Sequence, residues 1–410
     1  MPETHDTTAL QAAIGQFVEP NLRQSLAEAK AIRSLERHGQ GWRVTLALGL
    51  PVEGYAASLQ AALQQHLAAQ GMTDPVVVTL QANITSHAVQ RGLTPLPGIK
   101  NVVAVASGKG GVGKSTVAAN LALAWAAQGA RVGLLDADIY GPSQPIMLGL
   151  QGQRPSSRDG KRIEPLRAHG VVAMSIGFLV DVEQPMVWRG PMVTSALNQL
   201  LADTEWGELD YLVVDMPPGT GDIQLTLSQR VPVSGAVIVT TPQDISLADA
   251  RKGLRMFEKV NVPVLGIIEN MAVHVCTNCG HAEHVFGAGG GERMAAQYDV
   301  QLLGSLPLDA RVREVAHGRE IQRVLLVLRD LRRALVERIE HREHALRVGR
   351  PADRGIGQRD RERIAREALV DQLDALAGLL VGGHRVPHAA HRQRVDEGIE
   401  VVVHAPRDRL

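Results

Sequence analysis

Residues 108–116, with the sequence GKGGVGKST, constrain the fold of this chain more than any other segment. They fit the phosphate-binding pattern G-x-x-x-x-G-K-[ST], in which glycines let backbone N–H groups turn inward around phosphate oxygens. The mostly apolar residues 101–106 before the loop predict a buried strand, and the Ala- and Leu-rich residues 115–128 predict a helix. A helix that begins at such a loop directs its partial positive charge at bound phosphate. The sequence therefore predicts a nucleotide site, against the alternative of a glycine-rich turn without a ligand.

Individual residues of this loop have separate expected roles. Lys114 can reach the β- and γ-phosphate oxygens, and Ser115 can offer its hydroxyl oxygen to Mg²⁺. Lys109 is a second lysine, directly after the first glycine of the loop. The remaining nucleotide-binding candidates are Gly108, Gly110, Gly111, Val112, Gly113 and Thr116.

From residue 101 to about residue 308, apolar β-branched runs alternate with stretches of helical character. Strands separated by crossover helices form a mostly parallel sheet that is covered on both faces. The sequence predicts an α/β fold, a mostly parallel, doubly wound sheet of the P-loop NTPase type with a small N-terminal α/β domain. Ligands of such sheets bind at the carboxyl ends of the strands. The strand candidates are 102–106, 131–135, 170–175, 210–215, 235–240, 263–269 and 301–306.

Composition and periodicity divide the chain into four segments. Residues 1–85 form the small α/β domain, and residues 86–100, with two prolines and little periodicity, predict a linker. Residues 101–317 form the P-loop domain, and residues 318–410 form an Arg-rich tail. Within the first segment the predicted elements are a mostly helical stretch over 9–36, a strand over 42–48, a helix over 56–70 and a strand over 75–80.

The Arg-rich tail differs from the rest of the chain in its basic residues. No lysine lies beyond Lys259, whereas arginine and histidine are frequent beyond residue 317. So abrupt a change favours the hypothesis that the tail is the translation of a shifted reading frame. The alternative is a genuine Arg-rich helical extension, since residues 324–346 have helical periodicity.

Acidic residues end two of the predicted strands. Asp215 follows the apolar run YLVV and precedes the segment MPPGTGD, and we expect it to hold Mg²⁺ through water. Asp136 and Asp138 end the strand at 131–135. One of these carboxylates can help the metal ion, while the other orients or deprotonates an attacking water. The alternative for each aspartate is a helix N-cap or a turn former.

Cys276 and Cys279 are the only cysteines in the chain, and their C-x-x-C spacing lets two thiolates bind one metal centre. One pair supplies two ligands, whereas a tetrahedral zinc or a [4Fe–4S] cluster requires four. Two copies related by a two-fold axis would bring two such pairs together. Three alternatives remain open: a zinc knuckle that adds His281 and His284 of the same chain, a redox-active pair, or a pair of inert thiols.

Several motifs taken together resemble the Mrp/ApbC family of iron–sulfur cluster carrier ATPases, within the group that includes MinD, ParA and the nitrogenase iron protein. The resemblance covers about residues 100–317. The set is more specific than any single motif. It consists of the loop with Lys109, LLDADIYGPS, VVDMPPGTGD, WRGPM at 188–192, and GIIENM.

The resemblance implies a homodimer with two ATP sites that face each other. It implies that Lys109 reaches the partner's nucleotide, that Asp138 lies near the hydrolytic water, and that Asn270, within GIIENM, lies near the adenine base. It further implies an iron–sulfur cluster that Cys276 and Cys279 bridge between two chains and that is delivered to apo iron–sulfur proteins. We expect a [4Fe–4S] cluster, with [2Fe–2S] as the alternative that the sequence leaves open. The N-terminal domain weakly resembles the small domain often fused to these ATPases, which suggests a link to iron–sulfur assembly, although it lacks the cysteine that such domains frequently carry.

The sequence therefore predicts an ATP-binding and ATP-hydrolysing iron–sulfur cluster carrier, with Lys109, Lys114 and Asp138 as its catalytic residues. The alternative is a MinD/ParA-like positioning ATPase with a structural zinc at the C-x-x-C loop. Because the formal net charge is zero and no apolar run approaches the ~20 residues of a transmembrane helix, we expect neither a nucleic-acid nor a membrane partner. Two cysteines and no recognisable secretory signal lead us to expect a cytoplasmic protein.

Overall fold

The structure is a computed structural model that describes residues 3–157, 159–180, 190–276 and 278–309. The predicted Arg-rich tail lies outside these residues, and so do Trp188 and Arg189 of the WRGPM motif. Within the described part of the chain, no helix combines the length and the apolar character that a bilayer crossing requires.

A small α/β module occupies the N-terminal part of the chain. Its elements are α1 (Glu3–Gln16), β1 (Val18–Glu19), β2 (Gln24–Ser25), β3 (Ile32–His38), β4 (Gly41–Leu48), α2 (Ala56–Ala69) and β5 (Val76–Ala82). Strand β4 lies at the centre of a three-stranded sheet, antiparallel to β3 and parallel to β5. The module has a hydrophobic core of its own, in which Ile14, Leu46 and Leu63 are fully buried.

The secondary structure of this module corrects one prediction. The strand at 42–48, the helix at 56–70 and the strand at 75–80 are confirmed, but the helical prediction for 9–36 is wrong beyond Gln16. The residues that follow form β1, β2 and β3 instead. Pro20 lies in this stretch and costs about 3 kcal/mol in a helix interior, whereas other residues differ in helix propensity by no more than about 1 kcal/mol. Pairing of β3 with β4 satisfies backbone groups and covers an apolar core, and this tertiary gain exceeds the local preference.

The larger domain begins at β6. Its helices are α3 (Lys114–Ala127), α4 (Gln144–Met147), α5 (Gly190–Ala202), α6 (Asp222–Arg230), α7 (Asp244–Lys259) and α8 (Gly290–Gln297). Its strands are β6 (Ile99–Ser107), β7 (Val132–Asp136), β8 (Leu166–Ala168), β9 (Val171–Ser175), β10 (Leu209–Asp215), β11 (Gly235–Thr240), β12 (Val264–Glu269), β13 (His274–Val275), β14 (Ala282–Glu283) and β15 (Leu302–Ser305).

Eight strands of this domain form one sheet in the order β15-β12-β11-β6-β10-β7-β9-β8. All neighbouring pairs are parallel except β8 and β9, which are antiparallel at one edge. The predicted α/β fold with a mostly parallel sheet is confirmed, and each of the predicted strands corresponds to a strand of this sheet. The short edge strand β8 is the one that the sequence did not predict.

Helix α3 packs against the central strands of the sheet and fixes the loop before it. Ala118, Leu121 and Trp125 of this helix are fully buried, and the Trp125 ring stacks on Tyr211 of β10 with ring centroids 4.4 Å apart. Each fully buried large apolar side chain contributes about 1.5–3 kcal/mol to stability relative to an exposed one. The helix and the phosphate loop are therefore held firmly against β10.

The parallel arrangement gathers polar residues at the carboxyl ends of the strands. Asp215, the last residue of β10, lies opposite Asp136, the last residue of β7, and opposite Val105 near the end of β6. Glu269 ends β12 in the same way. The phosphate loop begins at this edge, directly after β6, so the fold brings the loop and the acidic residues together.

The predicted linker, residues 86–100, makes specific contacts with the larger domain. Gln90 is buried, and its Nε2 donates hydrogen bonds to the carbonyl oxygens of Ser228 (2.9 Å) and Val231 (3.1 Å). Its Oε1 accepts a hydrogen bond of 2.8 Å from the backbone N–H of Val233. Helix ends leave backbone carbonyls without partners. The Gln90 amide satisfies them at the end of α6, the helix that follows the Asp215 segment.

Candidate functional site

The phosphate loop is closely packed at its two ends and open in its middle. A Cβ atom at Gly108 would lie 2.1 Å from the carbonyl carbon of Asp249, and one at Gly113 would lie 2.2 Å from Nδ2 of Asn270. Gly113 also has a φ of 84°, in the left-handed region that favours glycine. A Cβ at Gly110 would meet nothing within 4 Å. The loop thus presents open backbone between two fixed glycines, as a phosphate-binding loop requires.

Asn270 connects the end of β12 to this loop. Its side-chain Nδ2 donates a hydrogen bond of 2.9 Å to the carbonyl oxygen of Val112, and its backbone N–H donates one of 2.8 Å to the carbonyl oxygen of Thr240. Asn270 therefore supports the C-terminal half of the loop, at Val112. Its predicted position near an adenine base stays a prediction.

Lys114 lies at the centre of the site. Its Nζ is 2.5 Å from Oδ1 of Asp215, 3.0 Å from Oγ of Ser115 and 4.0 Å from Oδ2 of Asp138. Lys114 and Asp215 are both buried, while Asp138 is half-buried. The structure thus brings together four residues that the sequence selected. Hydroxyl and carboxylate oxygens are the ligands that Mg²⁺ prefers, so the donor set of Ser115 and Asp215 fits that ion.

Lys109 and Thr116 complete the predicted loop residues. Lys109 is half-buried, and its carbonyl oxygen accepts a hydrogen bond of 2.8 Å from Oγ of Ser107. Thr116 lies in the first turn of α3, where its carbonyl oxygen accepts a hydrogen bond from Asn120. The Lys109 side chain has no ion pair within the part of the chain that the structure describes.

Asp136 anchors the segment that carries Asp138. It is fully buried and accepts hydrogen bonds from the backbone N–H groups of Ser143 (3.0 Å), Gln144 (3.1 Å) and Asp138 (3.2 Å). The hydroxyl of Ser175, at the end of β9, donates a further one of 3.1 Å. One carboxylate therefore fixes the start and the end of the segment 138–144 against two strands.

The carboxyl groups of Asp136 and Asp138 both have raised pKa values. Burial, assisted by the negative charge of Asp215, raises the pKa of Asp136 to about 7, although backbone hydrogen bonds oppose the rise. Burial also raises the pKa of Asp138, and the nearby Lys114 ammonium opposes this shift. A carboxylate with a raised pKa is a better proton acceptor near neutral pH. The electrostatics of Asp138 therefore suit a role beside a water molecule.

Gln144 is a residue of this site that sequence reasoning missed. Its Nε2 donates hydrogen bonds of 2.8 Å to Oδ2 of Asp215 and 3.0 Å to the carbonyl oxygen of Ser115. No motif marks this glutamine, because both contacts are to residues distant in sequence. Its only local signal is that it follows the acidic pair within LLDADIYGPSQ.

Cys276 and Cys279 lie at the tip of a short hairpin formed by β13 and β14. The backbone N–H of Cys276 donates a hydrogen bond of 2.9 Å to the carbonyl oxygen of His281, and that of Gly280 donates one of 2.8 Å to the carbonyl oxygen of Cys276. Both thiols are free; Cys276 is half-buried and Cys279 is exposed. The hairpin thus presents both sulfur atoms at the surface of the described chain.

The hairpin favours the thiolate form of Cys276. Hydrogen bonds from the backbone N–H groups of Cys279 and Asn278, and then from the Cys279 thiol, lower the pKa of Cys276. The thiolate is the form that binds metals. The proximity of the two thiols also agrees with joint binding of one metal centre.

The zinc knuckle that the spacing left open stays a prediction, because the histidines are not gathered around the cysteines among the described residues. Nδ1 of His284 lies 2.7 Å from the carbonyl oxygen of Ala272, which engages one side of its ring, and His281 is exposed. Among the residues that the structure describes, no group of three or more His, Cys, Asp or Glu side chains is placed to hold a metal ion. In the described part of the chain, the hairpin therefore contributes its two cysteines without a third such side chain placed beside them.

The sequence profile of the NUBPL iron-transfer P-loop NTPases, a ParA-type family, matches residues 98–330. The chain belongs to this family. The match spans both the phosphate loop and the cysteine hairpin, so the two sites described above lie within one family domain.

This chain is similar to proteins that are named as iron–sulfur cluster carriers or transfer proteins. The iron–sulfur cluster carrier protein of Haemophilus influenzae is 52% identical over 305 residues, which cover 74% of this chain and 82% of that protein. That of Escherichia coli K12 is 50% identical over 301 residues, covering 73% and 82%. The iron–sulfur cluster transfer protein NUBPL of Mus musculus is 54% identical over 233 residues, covering 56% and 73%.

A solved structure is also similar to this chain. The nucleotide-binding protein of Archaeoglobus fulgidus in complex with ADP is 40% identical, with a TM-score of 0.49, and the similarity covers 55% of this chain and 89% of that chain.

Proposed function

We propose that this protein binds and hydrolyses ATP and carries an iron–sulfur cluster that two copies hold between them for transfer to apo-proteins. The observation that carries the proposal is the exposed hairpin with Cys276 and Cys279. It offers two thiols of one chain, on a domain of the iron-transfer family whose phosphate loop is complete. A cluster that requires four thiolates then needs a second copy of the hairpin.

The residues of the phosphate loop support binding and hydrolysis of ATP. The open backbone around Gly110 would receive the phosphates, and the Lys114 ammonium would neutralise their charge. Ser115 and Asp215 would hold Mg²⁺, which supplies positive charge to the phosphate oxygens when bound. Asp138, anchored through Asp136, would orient the attacking water and accept its proton.

A homodimer follows from the cluster and from the loop. An isologous interface places the same surface of two chains face to face, so it can pair two hairpins. We assign Lys109 to the same interface, as its place directly after the first glycine of the loop implies by resemblance to the family, and its ammonium group has no ion pair within the described chain. Transfer would then be an exchange in which the thiolates of an apo-protein replace Cys276 and Cys279 as ligands of the cluster.

The N-terminal module takes no direct part in holding the cluster in this proposal. Both cysteines of the chain lie in the hairpin, so residues 1–85 contain no thiol. Segment Leu48 to Gly54, where related modules frequently carry a cysteine, reads LGLPVEG here. We therefore place any contribution of this module in partner contacts and not in thiol chemistry.

The test separates loading of the cluster from its delivery. A Lys114→Ala variant that circular dichroism shows to be folded should still bind the cluster, because the cysteine hairpin is unchanged, but it should fail to activate an apo iron–sulfur enzyme in cells. Lys161→Ala is the control, since this lysine is exposed and lies outside the loop. Normal delivery by a Lys114→Ala protein that no longer hydrolyses ATP would contradict the coupling of hydrolysis to transfer.

A further inference from the structure

Gln144 joins three parts of the nucleotide site through one residue. Its Nε2 contacts Oδ2 of Asp215 at 2.8 Å and the carbonyl oxygen of Ser115 at 3.0 Å, and its backbone N–H contacts Oδ2 of Asp136 at 3.1 Å. Asp215 ends β10, Ser115 lies in the first turn of α3, and Asp136 ends β7. The residue thus links the segment that carries Asp138 to the strand and the helix on the other side of the site.

The two oxygens of Asp215 have different partners. Lys114 contacts Oδ1 at 2.5 Å, and Gln144 contacts Oδ2. A carboxylate held on both oxygens by side chains from different elements cannot rotate freely about its own axis. The lone pairs that remain on each oxygen then point in fixed directions. Those directions decide where a metal ion, or a water bound to it, can meet Asp215.

The other end of the Gln144 amide shows that packing does not explain this residue. Its Oε1 is buried and has no hydrogen-bond partner among the residues that the structure describes. The two acceptors at Nε2 fix the orientation of the amide, because the reverse orientation would place Oε1 against a carboxylate. A buried amide oxygen without a partner is unfavourable, so shape alone does not favour a glutamine at this position. The hydrogen bond to Asp215 gives a reason for a glutamine here.

We propose that Gln144 is a positioning residue for the nucleotide reaction: it orients the Asp215 carboxylate toward the metal ion and ties the Asp138 segment to the phosphate loop. The inference rests on the proposed binding and hydrolysis of ATP, and it adds a residue that the phosphate-loop pattern does not contain. Gln144 would act through its contact with Asp215 and through the Asp136 carboxylate that also holds the start of the Asp138 segment.

The experiment compares Gln144→Met with Gln151→Met. Methionine keeps an unbranched side chain of similar length but cannot donate a hydrogen bond, and Gln151 is an exposed glutamine just beyond α4. Affinity for a slowly hydrolysed analogue, adenosine 5′-O-(3-thiotriphosphate), is measured by calorimetry with and without Mg²⁺. The rate of ATP hydrolysis is measured against Mg²⁺ concentration. Circular dichroism and thermal unfolding verify that each variant is folded.

Loss of one hydrogen bond to a charged group corresponds to about a tenfold effect. For Gln144→Met we expect the gain in affinity from Mg²⁺ and the kcat for ATP to fall about tenfold, while affinity without Mg²⁺ changes less than about twofold. Gln151→Met should match the wild type. An unchanged Mg²⁺ effect would overturn the inference. So would an equal loss of affinity without Mg²⁺, because that result indicates a distorted loop.

A second variant of Gln144 and the behaviour of the wild-type protein complete the test. Should Gln144→Met not fold, Gln144→Asn retains the amide but is one methylene too short to reach both acceptors, and the same results are expected. A wild-type protein that binds nucleotide without hydrolysing it would contradict the proposed ATPase activity, yet the Mg²⁺ comparison in binding would still decide the role of Gln144.

Discussion

The ammonium group of Lys114 lies 2.5 Å from the carboxylate of Asp215 and joins the first turn of α3 to the end of β10. The Lys114 side chain is 6% exposed and the Asp215 side chain is 0% exposed, so both charges are shielded from water. Buried charges are unfavourable unless they are paired. A change that breaks this pair should therefore both alter the geometry of the site and destabilise the fold.

Replacement of Lys114 should destabilise the protein much more than replacement of Lys109. Lys114→Ala leaves Asp215 buried without its cation, which should lower the free energy of unfolding by about 3 kcal/mol. Lys109→Ala removes a half-buried lysine without an ion pair in the described chain, and it should change this free energy by less than about 0.5 kcal/mol. Urea unfolding followed by circular dichroism measures both. Equal losses in the two variants would show that the Lys114–Asp215 pair does not stabilise the fold.

Two glycines of the loop should differ in their tolerance of a methyl group. Gly113→Ala forces a φ of 84° on a residue with a Cβ and places that atom 2.2 Å from Asn270, so it should destabilise the protein by about 2 kcal/mol or more. Gly110→Ala meets open space and should cost less than about 1 kcal/mol. Thermal unfolding distinguishes them. The prediction fails if Gly110→Ala proves the more harmful change.

The amide of Gln90 should stabilise the end of α6. Gln90→Leu leaves two carbonyl oxygens and one N–H group without their partner, which should lower the free energy of unfolding by about 2–3 kcal/mol. Amide hydrogen exchange in α6 should become faster. Arg91→Ala is the neighbouring control, because this arginine is exposed. A loss no larger than that of Arg91→Ala would mean that residues 86–100 lie against the domain without supporting it.

The Asp210 carboxylate should make stability depend on pH in the acidic range. Burial alone would raise its pKa, but hydrogen bonds from Arg131 and an ion pair with Lys100 lower the pKa to about 2. The unfolded value is about 3.9. Because the folded value is lower, the stabilisation is complete above about pH 4 and disappears as the pH falls toward 2.

The matching variant for this prediction is Asp210→Asn. Since Arg131 and Lys100 are partly exposed, solvent screening reduces the expected loss in free energy of unfolding to about 1–2 kcal/mol at pH 6. Urea titrations between pH 2 and pH 6 should show the difference from the wild type shrinking below about pH 4. A difference that stays constant down to pH 2 would exclude a lowered pKa for Asp210.

The parallel sheet was predictable because its strands are buried on both faces. Such strands appear as continuous apolar runs, so β6, β10, β11 and β12 stand out in the sequence. The edge strand β8, with the sequence LRA, is three residues long and has no such run. In the N-terminal module, β3 was not predicted as a strand because its sequence is largely polar. Its stability comes from pairing with β4.

The site was predictable where chemistry requires a local pattern, and it was not where contacts are distant in sequence. The loop and Asp138 follow recognisable strands, Asp215 ends one, and the structure brings them together around Lys114. Gln144 and Gln90 are glutamines without a motif. The first contacts Asp215, 71 residues away, and the second contacts Val233, 143 residues away. Only the folded chain reveals such partners.

Iron and sulfide content, measured together with molar mass after anaerobic reconstitution, tests most directly whether two chains share one cluster through Cys276 and Cys279. We predict about four iron and four sulfide per two chains, in a dimer, unchanged in His284→Ala and lost in Cys276→Ser. A monomer that binds about one zinc per chain and requires His284 would contradict the shared cluster.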